Sequence, residues 1–389
     1  MTRNATNKHL RNAYKGKNDE FYTQYQDIEK EMYAYLEYDD NVFKGKTVLL
    51  PCDDPEWSNF TKYFAQNFDR FGLKKLISTS YAVESKQYKE GYQVSLFEES
   101  APQYDKRKTR IKGKIFTLEH DKSGDGKIDI DDLEWSYLEG DGDFRSEEIK
   151  KLRDESDIII TNPPFSLFRE FVAWIVEKEK KFVIIGNMNA ITYREIFSLI
   201  KQNKLWTGVR FNQRVNGKNM TFFVPDDYKL SGTEVEISKD GKKMISVAGT
   251  GWYTNLDHGR RHQPLPLMTM KDNIKFSKHK EIKGKEYMKY ENFDAIDVPF
   301  TDAIPSDYEG AMGVPISFLN KYNPDQFEIL GLGISNSGIE TGVQPYKEEH
   351  KKYRKEIQKR GAVDGDLYMM INNEVVVPYA RVLIKHNNL

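Results

Sequence analysis

Residues 156–165 read SDIIITNPPF, and the fold is most clearly indicated here. Three consecutive isoleucines, Ile158 to Ile160, form a short apolar run that predicts a strand buried on both faces. Two prolines end this run, because proline cannot continue a central strand. The residues from Ser166 to Glu177 then have helical spacing. The stretch therefore predicts a strand, a tight turn and a helix, which is the repeating unit of parallel α/β sheets.

The same alternation continues outward on both sides. Upstream, KTVLLPCDD (46–54) and LKKLISTSY (73–81) predict two strands separated by a helix from Ser58 to Phe71, and RIKGKIFTLEH (110–120) alternates like a strand. Downstream, KFVIIGNMNAI (181–191) predicts another strand, and a helix is expected from about Thr192. Strands and helices in this order predict an α/β fold with a doubly wound, Rossmann-like sheet.

The chain changes character after about residue 208. VRFNQRV (209–215), MTFFVP (220–225), GWYTNL (251–256) and a hairpin with Asp-Gly at its turn (233–247) predict antiparallel strands. Short mixed segments follow, with one polar helix near Lys347–Lys359. We therefore expect a first domain over 1–257 and a second, β-rich region over 258–389.

Length and composition limit the class of protein. A chain of 389 residues has room for two domains, and 13% aromatic residues indicate packed cores. No run of 18 apolar residues predicts a membrane span, and the first residues lack the apolar segment of a secretory signal. The single cysteine, Cys52, forms no internal disulfide, which fits a reducing compartment. We expect a cytoplasmic protein.

The turn after the central strand carries groups suited to chemistry on an amino group. Asn162, Pro163, Pro164 and Phe165 lie where open α/β sheets bind ligands. An amine conjugated with a ring is a poor nucleophile, but the Asn162 side-chain oxygen and the Pro163 carbonyl can each accept one of its hydrogens and direct its lone pair at a methyl donor. The prolines hold these acceptors rigidly, and Phe165 offers a ring on which an extruded base can stack. The alternative interpretation is a proline terminator beside a core phenylalanine.

TNPPF resembles the signature of amino-methyltransferases that use S-adenosylmethionine: Asp or Asn, two prolines and an aromatic residue. More closely, a set of segments between residues 49 and 332 resembles the EcoRI-type family of adenine-specific DNA methyltransferases. These segments are LLPCDDPEWSNF, GDGDFRSEE, TNPPFSLFREF, GWYTNLDHGRRHQPL and MGVPISFLNKYNPDQFEILG. The resemblance implies a Rossmann-like methyltransferase sheet and a C-terminal region that recognises the DNA target.

The resemblance also implies where S-adenosylmethionine binds. It assigns the cofactor to the N-terminal segment NDEFYT, the loop after the first strand and the loop in GDGDF. The residues concerned are Tyr22, Thr23, Pro51, Asp53, Asp54, Asp143 and Phe144. The loop after the first strand lacks the glycine-rich turn of most methyltransferases, so the location is better supported than the individual contacts. The alternatives are a helix cap for the threonine and exposed turn carboxylates for the acidic residues.

Residues 121–132 match the spacing of an EF-hand calcium loop. Asp121, Ser123, Asp125 and Asp132 would supply ligands, and glycine stands at the sixth position. However, the last position is Asp rather than the longer Glu, and the preceding segment alternates like a strand. A calcium site and an acidic turn in an insertion both remain open.

Charge is balanced overall but unevenly distributed. Residues 1–17 carry +5 and residues 260–289 carry +6, whereas residues 119–157 carry −9. Basic stretches can contact a phosphate backbone, although such runs are also common on solvated surfaces. Double-stranded DNA is the expected partner, contacted through the lysines between Lys271 and Lys289. The arginines expected to bind DNA are Arg210, Arg214, Arg260 and Arg261.

Together these features predict methyl transfer from S-adenosylmethionine to the N6 amino group of an adenine flipped out of DNA. The alternatives are an amino-methyltransferase acting on RNA or on a protein glutamine, and a catalytically silent DNA- or calcium-binding protein. The resemblance leaves open whether a restriction endonuclease acts on the same site.

Overall fold

The structure is a computed structural model that describes residues 22–53, 58–82, 101–211, 220–224, 235–238 and 241–387. The chain divides into two compact units. The first comprises Met1–Met188 and Thr207–His258, and the second comprises Asn189–Trp206 and Gly259–Leu389. The expected boundary near 257 left residues 189–206 in the first domain, whereas they pack with the second unit. The functions expected of the two domains remain predictions.

An eight-stranded mixed sheet forms the centre of the first unit, although Trp206, the first residue of one edge strand, is grouped with the second unit. In chain order its strands are β2 (Thr47–Leu50), β3 (Lys75–Ser80), β4 (Lys114–Leu118), β5 (Glu134–Tyr137), β6 (Ile158–Thr161), β7 (Lys181–Asn187), β8 (Trp206–Thr207) and β12 (Thr250–Thr254), arranged as β5-β4-β3-β2-β6-β7-β12-β8. The four strands β3-β2-β6-β7 are parallel, and β4, β5 and β12 run antiparallel to their neighbours. The predicted α/β class is confirmed. The parallel arrangement holds at the centre, where every residue of β2 and β6 is buried.

A second sheet of this unit contains β1 (Tyr22–Thr23), β9 (Thr221–Phe223), β10 (Val235–Ile237) and β11 (Lys243–Ser246), in the order β1-β9-β11-β10. The predicted hairpin is confirmed, since β10 and β11 pair antiparallel. The strand expected over 209–215 is wrong in its described part. Val209 and Arg210 form a turn because the Glu31 carboxylate accepts both of their backbone N–H groups.

Six helices accompany these sheets in the described part of the first unit. They are α1 (Tyr25–Tyr38), α2 (Asn59–Gln66), α3 (Phe68–Phe71), α4 (Lys106–Ile111), α5 (Glu147–Glu155) and α6 (Phe168–Val176). The predicted helix from Ser58 to Phe71 is interrupted at Asn67. One apolar core joins α1 and α2 to the large sheet through side chains such as Met32, Phe60 and Ile160.

The second unit combines helices with two small sheets. Its elements are α7 (Arg194–Lys201), α8 (Met270–Phe276), β13 (Ala295–Asp297), β14 (Ala311–Pro315), β15 (Phe327–Gly333), α9 (Ser335–Thr341), α10 (Glu348–Glu356), β16 (Met369–Ile371), β17 (Glu374–Val376) and β18 (Arg381–His386). One sheet has the order β13-β14-β18-β15, and β16 pairs with β17. The predicted polar helix near Lys347–Lys359 corresponds to α10.

Among the described residues, no helix combines the length and the apolar character needed to cross a membrane.

Candidate functional site

The TNPPF turn begins at the carboxyl end of β6, between the parallel strands β2 and β7. Asn162 follows Thr161, the last residue of β6, and is half-buried. Pro163 is buried, and Phe165 begins a short 3-10 turn that leads into α6. The loop after β2 leaves the same edge of the sheet, because β2 and β6 run in the same direction. This edge therefore brings two of the predicted loops together.

A buried hydrogen-bond network joins these loops. The Thr161 hydroxyl lies 2.6 Å from both Asp53 Oδ2 and the Pro51 carbonyl. Ser58 Oγ donates to Asp53 Oδ1 at 2.8 Å and caps α2 by accepting from the Phe60 amide. Asp53 is only 7% exposed. Its carboxylate therefore fixes the residue before Asn162 against the β2 loop and the start of α2.

The N-terminal strand connects to the same network. The side-chain amide of Asn59, in the first turn of α2, donates to the Thr23 backbone carbonyl at 2.8 Å. Thr23 is 3% exposed, and its hydroxyl meets no hydrogen-bond partner among the described residues. Thr23, Ser58 and Asp53 are thus linked through the beginning of one helix. Of Tyr22 the structure describes the backbone, which pairs with Phe223.

The loop after β2 makes a tight turn at Cys52. This residue has φ +67°, a left-handed conformation unusual for a side chain other than glycine. Its thiol lies 3.5 Å from the Tyr81 hydroxyl, just beyond the end of β3. Burial and the neighbouring Cys52 thiol raise the pKa of Tyr81 far above its ordinary value, so the phenol remains protonated. Tyr81 therefore connects the ends of β2 and β3.

The GDGDF loop packs closely on the end of β3. A Cβ on Gly142, whose φ is +89°, would lie 2.3 Å from the Ser80 carbonyl, so this approach requires glycine. Asp143 lies beyond this contact and binds Arg145 through both carboxylate oxygens, which lowers the pKa of Asp143. The Ser80 hydroxyl is buried without a hydrogen-bond partner among the described residues. Asp143 thus lies in a loop fixed to the edge that also carries Tyr81.

The two aromatic rings predicted to contact ligands are largely enclosed. Phe165 is 7% exposed and belongs to the main core. Phe144 is 1% exposed, with its ring centroid 5.0 Å from that of Phe171 and 5.7 Å from that of Trp174. Contacts of either ring with a base or a cofactor remain predictions.

Arg210 is engaged inside the first unit. Its guanidinium forms an ion pair with Asp27, and its side chain is 10% exposed. Nearby, Glu31 is fully buried and accepts from the Tyr35 hydroxyl at 2.7 Å and from the Val209 amide at 3.0 Å. Burial raises the pKa of Glu31 to about 7, although these hydrogen bonds oppose the shift.

This pKa predicts a pH dependence of stability. Glu31 binds its proton more tightly when folded than when unfolded, so its contribution is complete below pH 4.5 and is lost as the pH rises to about 7. Over that range we expect the free energy of unfolding to fall by about 3 kcal/mol through this residue. Urea unfolding of the wild type and of Glu31→Gln at pH 5, 6, 7 and 8 measures it. The difference in the free energy of unfolding between the two proteins should change with pH below pH 7 and level off above it. A difference that is constant with pH contradicts the raised pKa of Glu31.

Arg261 is likewise held within its own unit. It is 6% exposed, its guanidinium carbon lies 3.7 Å from the Trp206 ring centroid, and it binds the Asn203 side chain. Arg260, in the same short turn, is half-buried. To contact a DNA base, Arg210 would first have to break its ion pair with Asp27, and Arg261 would have to leave the Trp206 ring.

The carboxylates of the EF-hand-like loop accept hydrogen bonds from the loop's own backbone amides. Asp132 accepts from the amides of Lys122, Ser123 and Asp129, which lowers the pKa of Asp132 to about 2. Asp121 accepts from two glycine amides. In the part of the chain that the structure describes, no three His, Cys, Asp or Glu side chains are arranged to hold a metal ion. Asp125 binds the Lys127 amide.

Some predicted residues lie outside the described ones: Asp54, Arg214 and the basic segment 1–17. Conversely, the structure adds Thr161, Ser58 and Tyr81 to the site, none of which was predicted from the sequence. Thr161 is the clearest omission, because a hydroxyl at the end of an apolar strand is a visible signal. Ser58 was predicted only as the start of a helix, and nothing local indicates that its hydroxyl also contacts Asp53.

Comparisons with known proteins agree with one another. The family model described as "Adenine-specific methyltransferase EcoRI" matches residues 9–387. The chain is 43% identical over 391 residues to the type II methyltransferase M.EcoRI of Escherichia coli, covering 100% of this chain and 99% of that protein. It is 36% identical to M.MgeORF184P of Mycoplasma genitalium, over 83% of this chain and 85% of that one, and 36% identical to M.MpnI of Mycoplasma pneumoniae, over 82% and 83%. Both are also named type II methyltransferases. No solved structure matches this chain.

Proposed function

The chain belongs to the EcoRI family of adenine-specific methyltransferases, as its sequence motifs predicted, and we propose that methyl transfer takes place at the carboxyl edge of β6. The protein is an adenine-specific DNA methyltransferase. The observation that carries the placement is the buried network of Asp53, Ser58 and Thr161, which fixes the residue immediately before Asn162.

Asn162 acts as the acceptor for the target amine. Its amide oxygen and the Pro163 carbonyl each accept a hydrogen bond from the adenine N6 amino group. The nitrogen can then become pyramidal, with its lone pair no longer conjugated with the ring and directed at the methyl donor. With a methyl donor bound, the nitrogen held by Asn162 and Pro163 would displace the sulfonium sulfur as a neutral thioether from the methyl carbon, and the extra amino proton would pass to water. Thr161 is a positioning residue, because its hydroxyl holds the strand end while the chemistry occurs at its neighbour.

S-adenosylmethionine is the methyl donor that the family implies, and when bound it supplies an electrophilic methyl group on a sulfonium. Two buried hydroxyls fit a polar ligand, since Thr23 and Ser80 each lack a hydrogen-bond partner among the described residues. We propose that these hydroxyls, Asp143 and the loop around Asp53 hold the cofactor. Asp53 retains acceptor capacity, because a carboxylate can accept about four hydrogen bonds.

The sheet supports a Rossmann-like description, since its central strands β3-β2-β6-β7 are parallel with helices between them. We propose that the first unit is the catalytic domain and that the second recognises double-stranded DNA. The proposed DNA contacts are Arg260 and the lysines between Lys271 and Lys289 in the second unit, together with Arg214 of the first. A restriction endonuclease acting on the same sequence would be the functional partner if the enzyme has a protective role.

The calcium question has a direct test. Asp132 Oδ1 already accepts two backbone amides and Oδ2 accepts a third, so bidentate coordination would break at least one of the bonds to Oδ1. We therefore expect no heat when calcium is titrated to millimolar concentration into the metal-depleted protein. The apparent unfolding temperature should also be the same with calcium and with chelator. A saturable heat that disappears in Asp121→Ala would establish a calcium site instead.

The substrate class is tested by offering the three acceptors side by side. Protein and radiolabelled S-adenosylmethionine are incubated with unmethylated DNA, with total RNA, and with a cell lysate freed of nucleic acid. We expect label in DNA and background in the other two. Label in RNA or on protein glutamine would show that the same site methylates that substrate instead of DNA. Cofactor binding without label in any acceptor would indicate a catalytically silent protein.

A further inference from the structure

A lysine-rich projection lies on the second unit, and we call Met270–Lys285 the lysine turn. It contains α8 and the turn after it, with six lysines against two acidic residues. Lys271, Lys275 and Lys280 are exposed, and none forms an ion pair with a described carboxylate. Lys271 and Lys275 are four residues apart and therefore share one face of α8. Lys278 is paired with Asp302 at 2.8 Å, whereas Lys271, Lys275 and Lys280 present positive charge that no described carboxylate neutralises.

An exposed phenylalanine lies within this positive surface. Phe276 ends α8 and is 60% exposed. The ammonium of Lys275 lies 4.8 Å from its ring centroid, within cation–π range. A single exposed apolar residue is ordinary on a protein surface. An exposed ring held among lysines, however, is the combination with which proteins contact phosphates and bases together.

The lysine turn is firmly anchored. Asn273 is fully buried and donates to the carbonyls of Met268 and Ala303. His279 stacks on Phe300, with ring centroids 3.7 Å apart and planes 4° apart. The Gly284 amide returns to the Ile274 carbonyl at 2.8 Å. The exposed side chains therefore project from a preorganised base, which reduces the entropy lost on binding.

We propose that the lysine turn is a duplex-DNA contact in which Lys271, Lys275 and Lys280 bind backbone phosphates and the Phe276 ring makes an apolar contact with the bases. The proposal rests on the DNA-methylating function proposed above and adds a division of labour. The lysines supply salt-dependent affinity that is independent of sequence, whereas the ring supplies affinity that salt does not screen.

Fluorescence anisotropy with a labelled duplex of arbitrary sequence separates the two contributions. Affinity is measured between 50 and 300 mM salt for the full chain without methyl donor. In Lys271→Gln/Lys275→Gln/Lys280→Gln we expect the slope of log affinity against log salt to fall by about 0.9 for each phosphate contact removed. In Phe276→Ala we expect affinity to fall about tenfold with the slope unchanged.

A matched control uses three exposed lysines of the same unit, in or just after α10. Lys352→Gln/Lys355→Gln/Lys359→Gln removes the same charge from residues 347–360, which carry seven lysines and arginines against three glutamates and therefore match the lysine turn in net charge. Wild-type slope and affinity are expected there. An equal loss in this control would overturn the proposal, because it would reveal only a general charge effect. An unchanged slope in the first triple variant, or unchanged affinity in Phe276→Ala, would also overturn it.

A failure of the lysine-turn proposal can be distinguished from a failure of the proposed DNA-methylating function. The same wild-type preparation is assayed for methylation of plasmid DNA. If it methylates DNA while the lysine-turn variants bind normally, only the lysine-turn proposal fails. If it does not methylate DNA at all, the proposed function fails first. Circular dichroism of each variant confirms that the second unit is folded, which is expected because the substituted side chains are exposed.

Discussion

Asn162→Ala is expected to lower kcat for DNA methylation by about 10²–10³-fold while S-adenosylmethionine affinity stays within a few-fold of wild type. The side-chain oxygen is one of two proposed acceptors for the target amine. Its removal leaves the Pro163 carbonyl alone and allows the nitrogen to stay conjugated with its ring. Because the loss concerns the transition state, kcat and kcat/KM should fall together.

Two further variants sharpen this test. Asn162→Asp keeps an acceptor oxygen of the same reach, so it should retain far more activity than the alanine variant. Asn41→Ala changes an exposed asparagine whose side-chain amide donates to the neighbouring Asp40 carboxylate, and it should be indistinguishable from wild type. Equal activity of Asn162→Ala and wild type would remove Asn162 from the mechanism. Loss of cofactor binding in Asn162→Ala would give it a different role.

Asp53→Ala is expected to destabilise the first unit by about 2–4 kcal/mol and to weaken cofactor binding by at least tenfold. The substitution leaves the buried Ser58 hydroxyl without its acceptor and leaves Thr161 with the Pro51 carbonyl alone. The free energy of unfolding is measured by urea titration, and the cofactor dissociation constant by calorimetry at a temperature where the variant is folded.

The effect of Asp53 is separated from a general loss of charge by two comparisons. Asp53→Asn preserves one acceptor oxygen and should lose less stability than alanine. Asp40→Ala removes an exposed carboxylate and should change neither quantity. If Asp53→Ala unfolds at the wild-type urea concentration, the network does not hold the site together. If stability falls but cofactor affinity does not, Asp53 supports the fold alone.

The centre of the fold could be predicted from the sequence because it depends on local signals. The apolar run Ile158–Ile160 and the two prolines after it mark a buried strand and its end without reference to any other segment. The edges of the same sheet depend on long-range pairing. GWYTNL reads as an antiparallel strand, but nothing local states that it pairs with β7, some 65 residues earlier.

The arginines show the same limit for the site. A charge pattern marks Arg210 as a candidate for DNA, but its partner Asp27 lies 183 residues away in sequence. The guanidinium of Arg261 stacks on the Trp206 ring, a contact with an uncharged side chain that a count of charges cannot predict. Glu31 was more accessible to prediction, since it follows Ile28 by three residues on the apolar face of α1 and precedes Tyr35 by four. A carboxylate in that position indicates a buried, partnered acid.

The most direct test of the account is mass-spectrometric nucleoside analysis of unmethylated DNA after incubation with S-adenosylmethionine and either wild type or Asn162→Ala, with cofactor binding measured on both proteins. The account predicts N6-methyladenine with the wild type, little or none with the variant, and similar cofactor binding by the two. N6-methyladenine at equal rates from both proteins, or a methylated base other than adenine from the wild type, would contradict it.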